Sequence, residues 1–438
     1  MENVAVIGNG GREHALIWTL AQDKDVSEVI QIGAENAGIA QEEKVRHIES
    51  GIKKENFPDL LKIIEKENIG VTIVGPEGPL AEGLVDYLNG EGYDRVFGPT
   101  GDATKLESSK FFSAEVMKRA NIPQADFEMC FSVEEAEKAI IKMATSEGIV
   151  IKADGLTGGK GVYVCDSRIQ ALEQITKHAK IYGEEVLISQ RLFGQEFSVF
   201  GFSDGNGVYT IPAAFQDHKP LLDGDKGPNT GGMGAYGPAP IASDEVLRFV
   251  ADRVMTPVVQ QMKSLGSEYK GFLYAGMIMT EDGPKVLEFN ARFGDPEAQP
   301  AMMMLDGSLY DSISLALDGK LDEIDLSLKP GASCCVVMAS NGYPESPKTG
   351  YLIEGLEEAS DLKGVKIFHA GTRVDREGDI IATGGRVLDV TAYSPKGLKE
   401  AQERVYEAVD LINVATIALN NNHPFYFRTD IGAKALCK

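Results

Sequence analysis

The chain has 438 residues, 43% of them hydrophobic and 25% charged, with a net charge of −23 at pH 7. This length exceeds what one hydrophobic core supports, so we expect several domains, and the negative charge argues against nucleic acid or an anionic membrane as a partner. There is no signal-peptide pattern, no long apolar stretch and no Cys-x-x-Cys pair among the five cysteines. We therefore expect a cytoplasmic protein with reduced thiols and small-molecule partners.

Strand and helix patterns alternate through residues 1–104. The predicted strands lie at 4–8, 28–33, 71–78 and 95–100, and the predicted helices at 13–22, 58–68 and 80–89. Such alternation predicts a mostly parallel sheet covered by helices. Ligands of these sheets collect at the C-terminal ends of the strands, where residues 8–11 and 75–78 are expected to lie.

The rest of the chain mixes helices with strand pairs. The predicted elements are helices at 109–123, 168–180, 244–265 and 397–412, strands at 185–192, 333–340 and 384–392, and hairpins around the glycines of 149–165 and around Asp282-Gly283. Residues 331–438 therefore read as a further α/β segment.

The first chemical stretch is "VAVIGNGGREHAL", residues 4–16, a strand, a Gly-rich turn and the start of a helix. A dinucleotide fingerprint needs glycine where Glu13 stands, and no Gly-Lys-Ser/Thr follows for a Walker loop. What remains is a Gly turn at a helix N-terminus beside Arg12, which suits a single phosphate group. A plain strand-to-helix turn is the alternative.

The second stretch is "KADGLTGGKGV", residues 152–162, in which Lys152 ends a strand and Lys160 lies in a Gly-rich loop. Backbone N–H groups of such a loop can surround phosphates while lysines neutralise their charge. A flexible hairpin with solvated lysines would show the same pattern.

The third stretch is "KVLEFNARFGDPE", residues 285–297. Glu288 and Asn290 are two apart on a predicted strand, so their oxygens face the same way and suit a hard cation such as Mg²⁺. Arg292 follows at the same spacing, within reach of a phosphoryl group or a carboxylate. The alternative is a surface strand with one polar face.

The fourth stretch, residues 216–238, reads as a long Gly-rich loop, and loops of this length are usually functional or disordered. Its candidates for a polar substrate site are Asp217, His218, Lys219, Asp225 and Asn229.

Together these stretches resemble the ATP-grasp superfamily and, within it, the glycinamide ribonucleotide synthetase family. The motifs that carry the resemblance occur in the family's order: "GNGGREHAL", "TIVGPEGPL", "FGPT", "LESSK", "QDHK", "GPNTGGMGAY", "GFLYAG", "EFNARFGDPE", "HAGT" and "GGRVL". The resemblance runs nearly end to end, which is more specific than any single Gly-rich loop.

The resemblance implies an α/β and α+β multidomain fold. A Rossmann-like (pre-ATP-grasp) parallel sheet is expected over residues 1–104. An ATP-grasp core of two α+β subdomains is expected over 105–330, with a mobile lid at about 123–192. A small C-terminal α/β domain is expected over 331–438.

The resemblance also implies a reaction in which ATP phosphorylates the carboxylate of glycine and the amine of 5-phosphoribosylamine attacks the acyl phosphate. The implied cofactors are ATP and Mg²⁺ or Mn²⁺. The residues implied for the ATP phosphates are Lys110, Lys152 and Lys160, and those for the adenosine are Gln190, Arg191, Leu192 and Glu196. The implied metal ligands are Glu288 and Asn290, and the groups implied for catalysis are Arg292, Lys152 and Lys160. The residues implied for substrate binding are Gly10, Gly11, Arg12, Gly75, Pro76, Glu77, Gly78, Asp217, Lys219, Asn229 and Arg292.

One departure from the family's pattern lies in the hinge, which is usually Glu-Glu-Phe-Leu and here reads Ser189-Gln190-Arg191-Leu192. An adenine held mainly by backbone groups would tolerate this change. Three alternatives stay open on the residues alone: an ATP-grasp ligase for another carboxylate or amine, an NAD-dependent oxidoreductase, and a non-catalytic nucleotide-binding protein. A monomer or weak dimer is expected.

Overall fold

The computed structural model describes residues 1–145, 148–157, 161–414 and 425–436. Its N-terminal part is a parallel sheet of strand order β3-β2-β1-β4-β5. The elements are β1 (Glu2–Ile7), α1 (Gly11–Ala21), β2 (Val26–Gly33), β3 (Val45–Glu49), α2 (Phe57–Lys66), β4 (Ile69–Val74), α3 (Glu77–Ala81), α4 (Leu84–Gly90) and β5 (Val96–Phe97).

This part confirms the predicted parallel sheet, with two differences. The edge strand β3 was not predicted, because it is only half-buried and lacks the apolar run that marks β1 and β4. The helix predicted over 80–89 is two short helices. Gly83 separates them with a left-handed φ of +85°, which favours glycine.

The next part is a small sheet of strand order β6-β9-β7-β8, which we call the lid sheet, covered by two helices. The elements are α5 (Gly101–Ser108), α6 (Lys110–Arg119), β6 (Phe127–Cys130), α7 (Val133–Met143), β7 (Ile149–Ala153), β8 (Val162–Cys165), α8 (Arg168–Tyr182) and β9 (Val186–Gln190). Ile140, Ile151, Ile175 and Ile188 belong to a core that this sheet shares only with its own helices. A separate core is what a subdomain that moves as a unit requires.

The third part is dominated by long antiparallel strands. The elements are β10 (Gln195–Asp204), β11 (Val208–Asp217), β12 (Pro220–Leu222), β13 (Lys226–Asn229), β14 (Gly234–Gly237), α9 (Asp244–Val250), α10 (Thr256–Ser264), β15 (Lys270–Thr280), β16 (Gly283–Asn290), α11 (Ala298–Met304), β17 (Leu305–Asp306), α12 (Leu309–Leu317) and β18 (Ser327–Leu328). The helix predicted over 244–265 is continuous, with a π-helical turn at Ala251–Met255 between α9 and α10.

The C-terminal part extends the same sheet. The elements are β19 (Ala332–Ser340), β20 (Ile353–Glu354), α13 (Leu356–Ser360), β21 (Val365–His369), β22 (Thr372–Val374), β23 (Ile380–Ala382), β24 (Arg386–Ser394), α14 (Leu398–Leu411), β25 (Asn413–Val414), β26 (Phe425–Tyr426) and α15 (Ala433–Leu436).

One large sheet thus has the order β16-β15-β10-β11-β14-β19-β24-β21, with β26 paired to β19. The strand β14 joins its two halves, because it pairs with β11 on one side and β19 on the other. The predicted fold class is confirmed, whereas the exact domain boundaries stay a prediction. No helix in the described part of the chain has the length and apolar character to cross a membrane.

The Gly-rich stretch 216–238 is more ordered than the sequence predicts. It contains the end of β11, a hairpin of β12 and β13, and the strand β14 of the large sheet. Gly234 occurs in β14 because the backbone of the neighbouring strand β19 leaves no room for a side chain. A Cβ at Gly234 would lie 2.5 Å from the carbonyl oxygen of Cys335.

Candidate active site

A cleft of about 700 Å³ lies between the lid sheet and the β10–β15–β16 end of the large sheet. It collects side chains from distant parts of the chain, such as Arg12, Arg292 and Arg386. The predicted site residues that line it are Arg12, Glu77, Lys110, Lys152, Gln190, Arg191, Leu192, Glu196, Asp217, Lys219, Asn229, Glu288, Asn290 and Arg292. Lys160 lies outside the described residues.

Lysines face carboxylates at the floor of the cleft. The Lys219 Nζ lies 3.3 Å from Glu288 Oε1 and 3.6 Å from Glu196 Oε2. The positive charge of Lys219 outweighs burial and lowers the pKa of Glu288 to about 2. Burial lowers the pKa of Lys152 to about 8, although Glu288 favours its charged form. Near neutral pH this group of side chains combines an ionised carboxylate with ammonium groups, an arrangement suited to polyanions and cations together.

Glu288 and Asn290 have the chemistry of a ligand pair for a divalent cation. They face the same side of β16, opposite Gly276 and Tyr274 of β15, and both line the cleft. Glu288 is ionised at neutral pH, and the Asn290 amide supplies a neutral oxygen, so the donor set is the one that Mg²⁺ prefers. The described residues contain no cluster of three or more His, Cys, Asp or Glu arranged for a metal. The pair therefore fits a cation that takes its other ligands from substrate phosphates and water.

Arg292 is held by two carboxylates behind this pair. Its Nε lies 3.2 Å from Glu77 Oε2, and its Nη2 lies 3.1 Å from Glu107 Oε1. Burial opposes the ionisation of Glu77, but Arg292 and Arg12 outweigh it and lower the pKa to about 2. Burial raises the pKa of Glu107 despite the nearby arginine. The site thus keeps Arg292 charged and oriented before any ligand binds.

The turn at the start of α1 is partly occupied by the side chain of Glu13, a residue of the same helix. The Gly10 N–H donates to Glu13 Oε2 at 2.7 Å, and Glu13 also binds the Arg12 Nε at 2.6 Å. A Cβ at Gly75 would lie 2.4 Å from Glu13, so the two predicted glycine turns meet at this carboxylate. Glu13 thus uses one of the N–H groups that the sequence analysis assigned to a phosphate.

The glycine turns form the rim of the cleft rather than its lining. The residues of the prediction that do not line it are Gly10, Gly11, Gly75, Pro76 and Gly78. A Cβ at Gly10 would nevertheless lie 3.8 Å from Asp295, which does line the cleft. Arg12 and Glu77 are the members of the two turns that reach inward.

The predicted hinge, residues 189–192, spans the end of β9 and the two residues after it, at the edge of the cleft. The guanidinium of Arg191 binds Asp166 at 2.5 Å and lies 4.7 Å from the centre of the Phe193 ring. Since Arg191 already has these partners, a base bound here would rely on backbone groups and on Gln190. Glu196 is the second residue of β10, and about half of its side chain is exposed, within 3.6 Å of the Lys219 Nζ.

Two candidates from the fourth stretch do not reach the cleft. Asp217, Lys219 and Asn229 line it, as predicted, whereas His218 and Asp225 do not. The His218 ring is buried against Tyr236, because it points to the opposite side from its two neighbours. Asp225 lies at the turn of the β12–β13 hairpin and binds Arg428 and Lys434.

The sequence analysis missed several charged groups of the cleft. Arg386 of β24 binds Asp295 Oδ2 at 3.0 Å and donates to the Gly231 carbonyl at 2.9 Å. Glu107 and Glu297 also line the cleft. The signal for Arg386 was present in "GGRVL", but the motif was used only as a marker of the C-terminal segment.

Three family models cover almost the whole chain. They are the N domain of phosphoribosylglycinamide synthetase at residues 2–107, its ATP-grasp (A) domain at 108–298, and its C domain at 333–434. The chain belongs to the phosphoribosylglycinamide synthetase family. It is similar to proteins named phosphoribosylamine–glycine ligase from Rhodopirellula baltica (44% identical over 93% of each chain) and Chlorobaculum tepidum (43% identical over 99% of this chain and 100% of the relative).

Solved structures agree with membership of the phosphoribosylglycinamide synthetase family. The phosphoribosylamine–glycine ligase of Thermotoga maritima is similar with a TM-score of 0.80 and 28% identity, covering 98% of this chain and 99% of that one. The biotin carboxylase domain of the Hydrogenobacter thermophilus 2-oxoglutarate carboxylase has a TM-score of 0.70 at 16% identity, covering 94% of this chain and 90% of that one. That second likeness concerns the fold alone.

Proposed function

We propose that this chain is an ATP-dependent carbon–nitrogen ligase of purine biosynthesis, which joins glycine to 5-phosphoribosylamine. The observation that carries the proposal is the convergence of an ionised Glu288, the Asn290 amide and the Lys152–Lys219 cations in one cleft. The relatives named phosphoribosylamine–glycine ligase match this chain over its full length, which supports the choice of substrates.

The chemistry has two steps. A carboxylate oxygen of glycine attacks the γ-phosphorus of ATP and ADP leaves, which produces glycyl phosphate. The amine nitrogen of phosphoribosylamine then attacks the carbonyl carbon, phosphate leaves, and the nitrogen loses a proton. The products are glycinamide ribonucleotide, ADP and phosphate. Phosphorylation is needed because a free carboxylate is a poor electrophile with no good leaving group.

We assign the nucleotide to the lid side of the cleft. Lys110 and Lys152, with Lys160 as a further candidate, would neutralise the phosphates, as in other enzymes that transfer phosphoryl groups. The residues Gln190, Arg191 and Leu192 would border the base, and Glu196 would accept hydrogen bonds from the ribose. Glu288 and Asn290 would hold Mg²⁺ or Mn²⁺, which supplies charge neutralisation on the phosphate oxygens.

We assign the two remaining substrates to the opposite side. Arg292 would stabilise negative charge on the transferring group, and its ion pairs with Glu77 and Glu107, which orient the guanidinium, support this role. Asp217, Lys219 and Asn229 would contact the polar groups of glycine or phosphoribosylamine. Arg12 and the rim glycines would receive the 5′-phosphate. Because these groups all come from one chain, we propose that it acts as a monomer or weak dimer. We also propose a cytoplasmic location.

The decisive experiment is a substrate-dependence assay on the purified chain. ADP release is measured with Mg²⁺ and ATP, adding glycine, freshly generated phosphoribosylamine, or both. We expect rapid ADP release only with both, together with glycinamide ribonucleotide detected by mass spectrometry. Release that requires another carboxylate or amine instead would point to a different ATP-grasp ligase. Release that requires neither would contradict the ligase assignment.

A further inference from the structure

The β12–β13 hairpin connects Lys219 to Asn229, two residues that line the cleft. Among the described strands, β12 and β13 pair only with each other, and β13 is exposed along its length. At its base, Thr230 donates from both its N–H and its hydroxyl to the Lys219 carbonyl, at 2.9 and 2.8 Å. A two-stranded hairpin is marginally stable alone, so its position must depend on contacts elsewhere.

Those contacts come from a segment near the end of the chain, residues 428–430. The Arg428 side chain is fully buried, and its Nη1 lies 3.0 Å from both the Pro220 carbonyl and Asp225 Oδ1. Its Nε and Nη2 each lie 2.7 Å from Asp430. The guanidinium therefore uses its planar set of donors to join the hairpin to the segment 428–430.

A second set of bonds involves the hairpin turn itself. The Thr429 N–H and hydroxyl donate to Asp223 at 2.9 and 2.5 Å. In the other direction, the Gly224 N–H donates to Asp430 Oδ2 at 2.8 Å. We call the contact between residues 223–225 and 428–430 the C-terminal clamp. Because donors and acceptors run both ways, the clamp fixes orientation as well as distance.

The C-terminal side of the clamp is held by contacts with α14 and with the large sheet. The Tyr406 hydroxyl of α14 donates to the Arg428 carbonyl at 2.9 Å and accepts from the Ile431 N–H at 3.0 Å. Gln402, also on α14, donates to the Ile431 carbonyl at 2.6 Å. Just before the clamp, β26 pairs with β19 of the large sheet. The C-terminal body thus provides a fixed support for the hairpin.

We propose that Arg428 and its clamp are a positioning device for the substrate side of the active site. The clamp fixes the position of the β12–β13 hairpin and thereby the positions of Lys219 and Asn229 in the cleft. The clamp residues themselves do not line the cleft. The proposal rests on the proposed function, since it assigns Lys219 and Asn229 to glycine or phosphoribosylamine.

The test removes the two exposed carboxylates on the hairpin side of the clamp, while Asp430 stays paired with the buried guanidinium of Arg428. In the variant Asp223→Ala/Asp225→Ala, we expect the KM values of glycine and phosphoribosylamine to rise about tenfold, with the KM of ATP changed less than twofold, because misplaced contact groups lose orientation. The variant Asp223→Asn/Asp225→Asn keeps oxygen acceptors and should recover most of the loss.

A matched control is Glu281→Ala/Asp282→Ala, which removes two exposed charges at the turn between β15 and β16. It should leave all three KM values unchanged. Melting temperatures of all variants are measured alongside. Unchanged KM values in the alanine double variant of an active enzyme, or equal effects on ATP, would overturn the positioning role. An inactive wild-type chain would instead contradict the proposed function.

Discussion

The charge of the active-site floor depends on single side chains. Glu288 receives its ionised state from Lys219, whose charge outweighs the cost of burial. Conversely, Glu288 is the largest influence on Lys219, and it raises the pKa of that lysine well above its usual value. Neither residue can be replaced without changing the other, since coupled buried charges depend on their partners.

We predict that Glu288→Ala abolishes turnover while the chain still folds. The substitution removes the carboxylate ligand proposed for the cation and leaves Lys219 with Glu196 alone. We expect kcat to fall about 1,000-fold, with a far-ultraviolet circular dichroism spectrum like that of the wild type.

A suitable control for this prediction is Glu245→Ala, which removes an exposed carboxylate from the first turn of α9. It should keep normal turnover. Activity retained by Glu288→Ala under saturating Mg²⁺ would refute the assignment of Glu288 as a metal ligand.

At the scale of elements, the first turn of α1 packs closely against side chains of β24 and α11. A Cβ on Gly11 would lie 1.8 Å from Asp389 Oδ2 and 2.8 Å from Gln299 Nε2. The side-chain-free surface of Gly11 therefore lets the first turn of α1 rest directly on β24. Burial raises the pKa of Asp389 to about 7, helped by the charge of Asp295.

We predict that Gly11→Ala destabilises the chain by about 2 kcal/mol through overpacking against Asp389. Most of the loss should disappear in the background of Asp389→Ala, because that substitution removes the closest contact of the added methyl group and leaves only the flexible Gln299 side chain near it. Urea unfolding of the four proteins in this double-mutant cycle measures the coupling.

The matched glycine is Gly78, at the start of α3, where a Cβ would meet nothing within 4 Å. Gly78→Ala should leave the free energy of unfolding within about 0.5 kcal/mol of the wild type. Equal effects at both glycines, or a cost of Gly11→Ala that persists without Asp389, would contradict the packing argument.

At the scale of the whole molecule, a buried polar cluster joins the N-terminal sheet and its helix α1 to β21 of the C-terminal part. His14 of α1 binds Glu42 at 2.8 Å through Nε2 and accepts the N–H of His369 at 2.8 Å through Nδ1. The Asn36 amide donates to the His369 carbonyl at 2.7 Å. Burial lowers the pKa of His14 and lowers that of His369 to about 3. This junction of His14, Asn36, Glu42 and His369 therefore favours the neutral forms of both imidazole rings.

We predict that this junction makes the molecule sensitive to mild acid. In the unfolded chain each histidine binds a proton near pH 6.5, but the folded chain does not, so stability is lost as the pH falls below about 6.5. Each such histidine contributes up to about 1.4 kcal/mol per pH unit below that point. We expect the melting temperature to drop between pH 7.5 and 5.5.

The variant His369→Gln should show a smaller drop over the same range, even though it starts from a lower melting temperature. His47→Gln serves as the control, because the His47 ring is partly exposed and lies outside the junction. A pH slope that is identical in wild type and His369→Gln would refute the role of His369.

Many features of the molecule were open to sequence analysis because they depend on local patterns. Apolar runs predicted the parallel strands, and the turn at Asp282-Gly283 predicted the β15–β16 hairpin that carries Glu288 and Asn290. That Glu288 and Asn290 face the same side follows from their two-residue spacing, because side chains alternate between the two faces of a strand. The half-buried edge strand β3 and the strands within residues 216–238 were not predicted from the sequence. Contacts with neighbouring elements stabilise these strands, and their own sequences carry no strong strand pattern.

The sequence by itself determined the family, the order of the elements and the residue types that can bind a nucleotide and a cation, since these depend on spacing along the chain. Only the tertiary structure decided that Arg386 enters the cleft, that Glu13 caps its own helix, and that residues 428–430 bind the β12–β13 hairpin. The physical reason is that these contacts join residues distant in sequence, and their energies depend on burial and orientation that no local pattern contains.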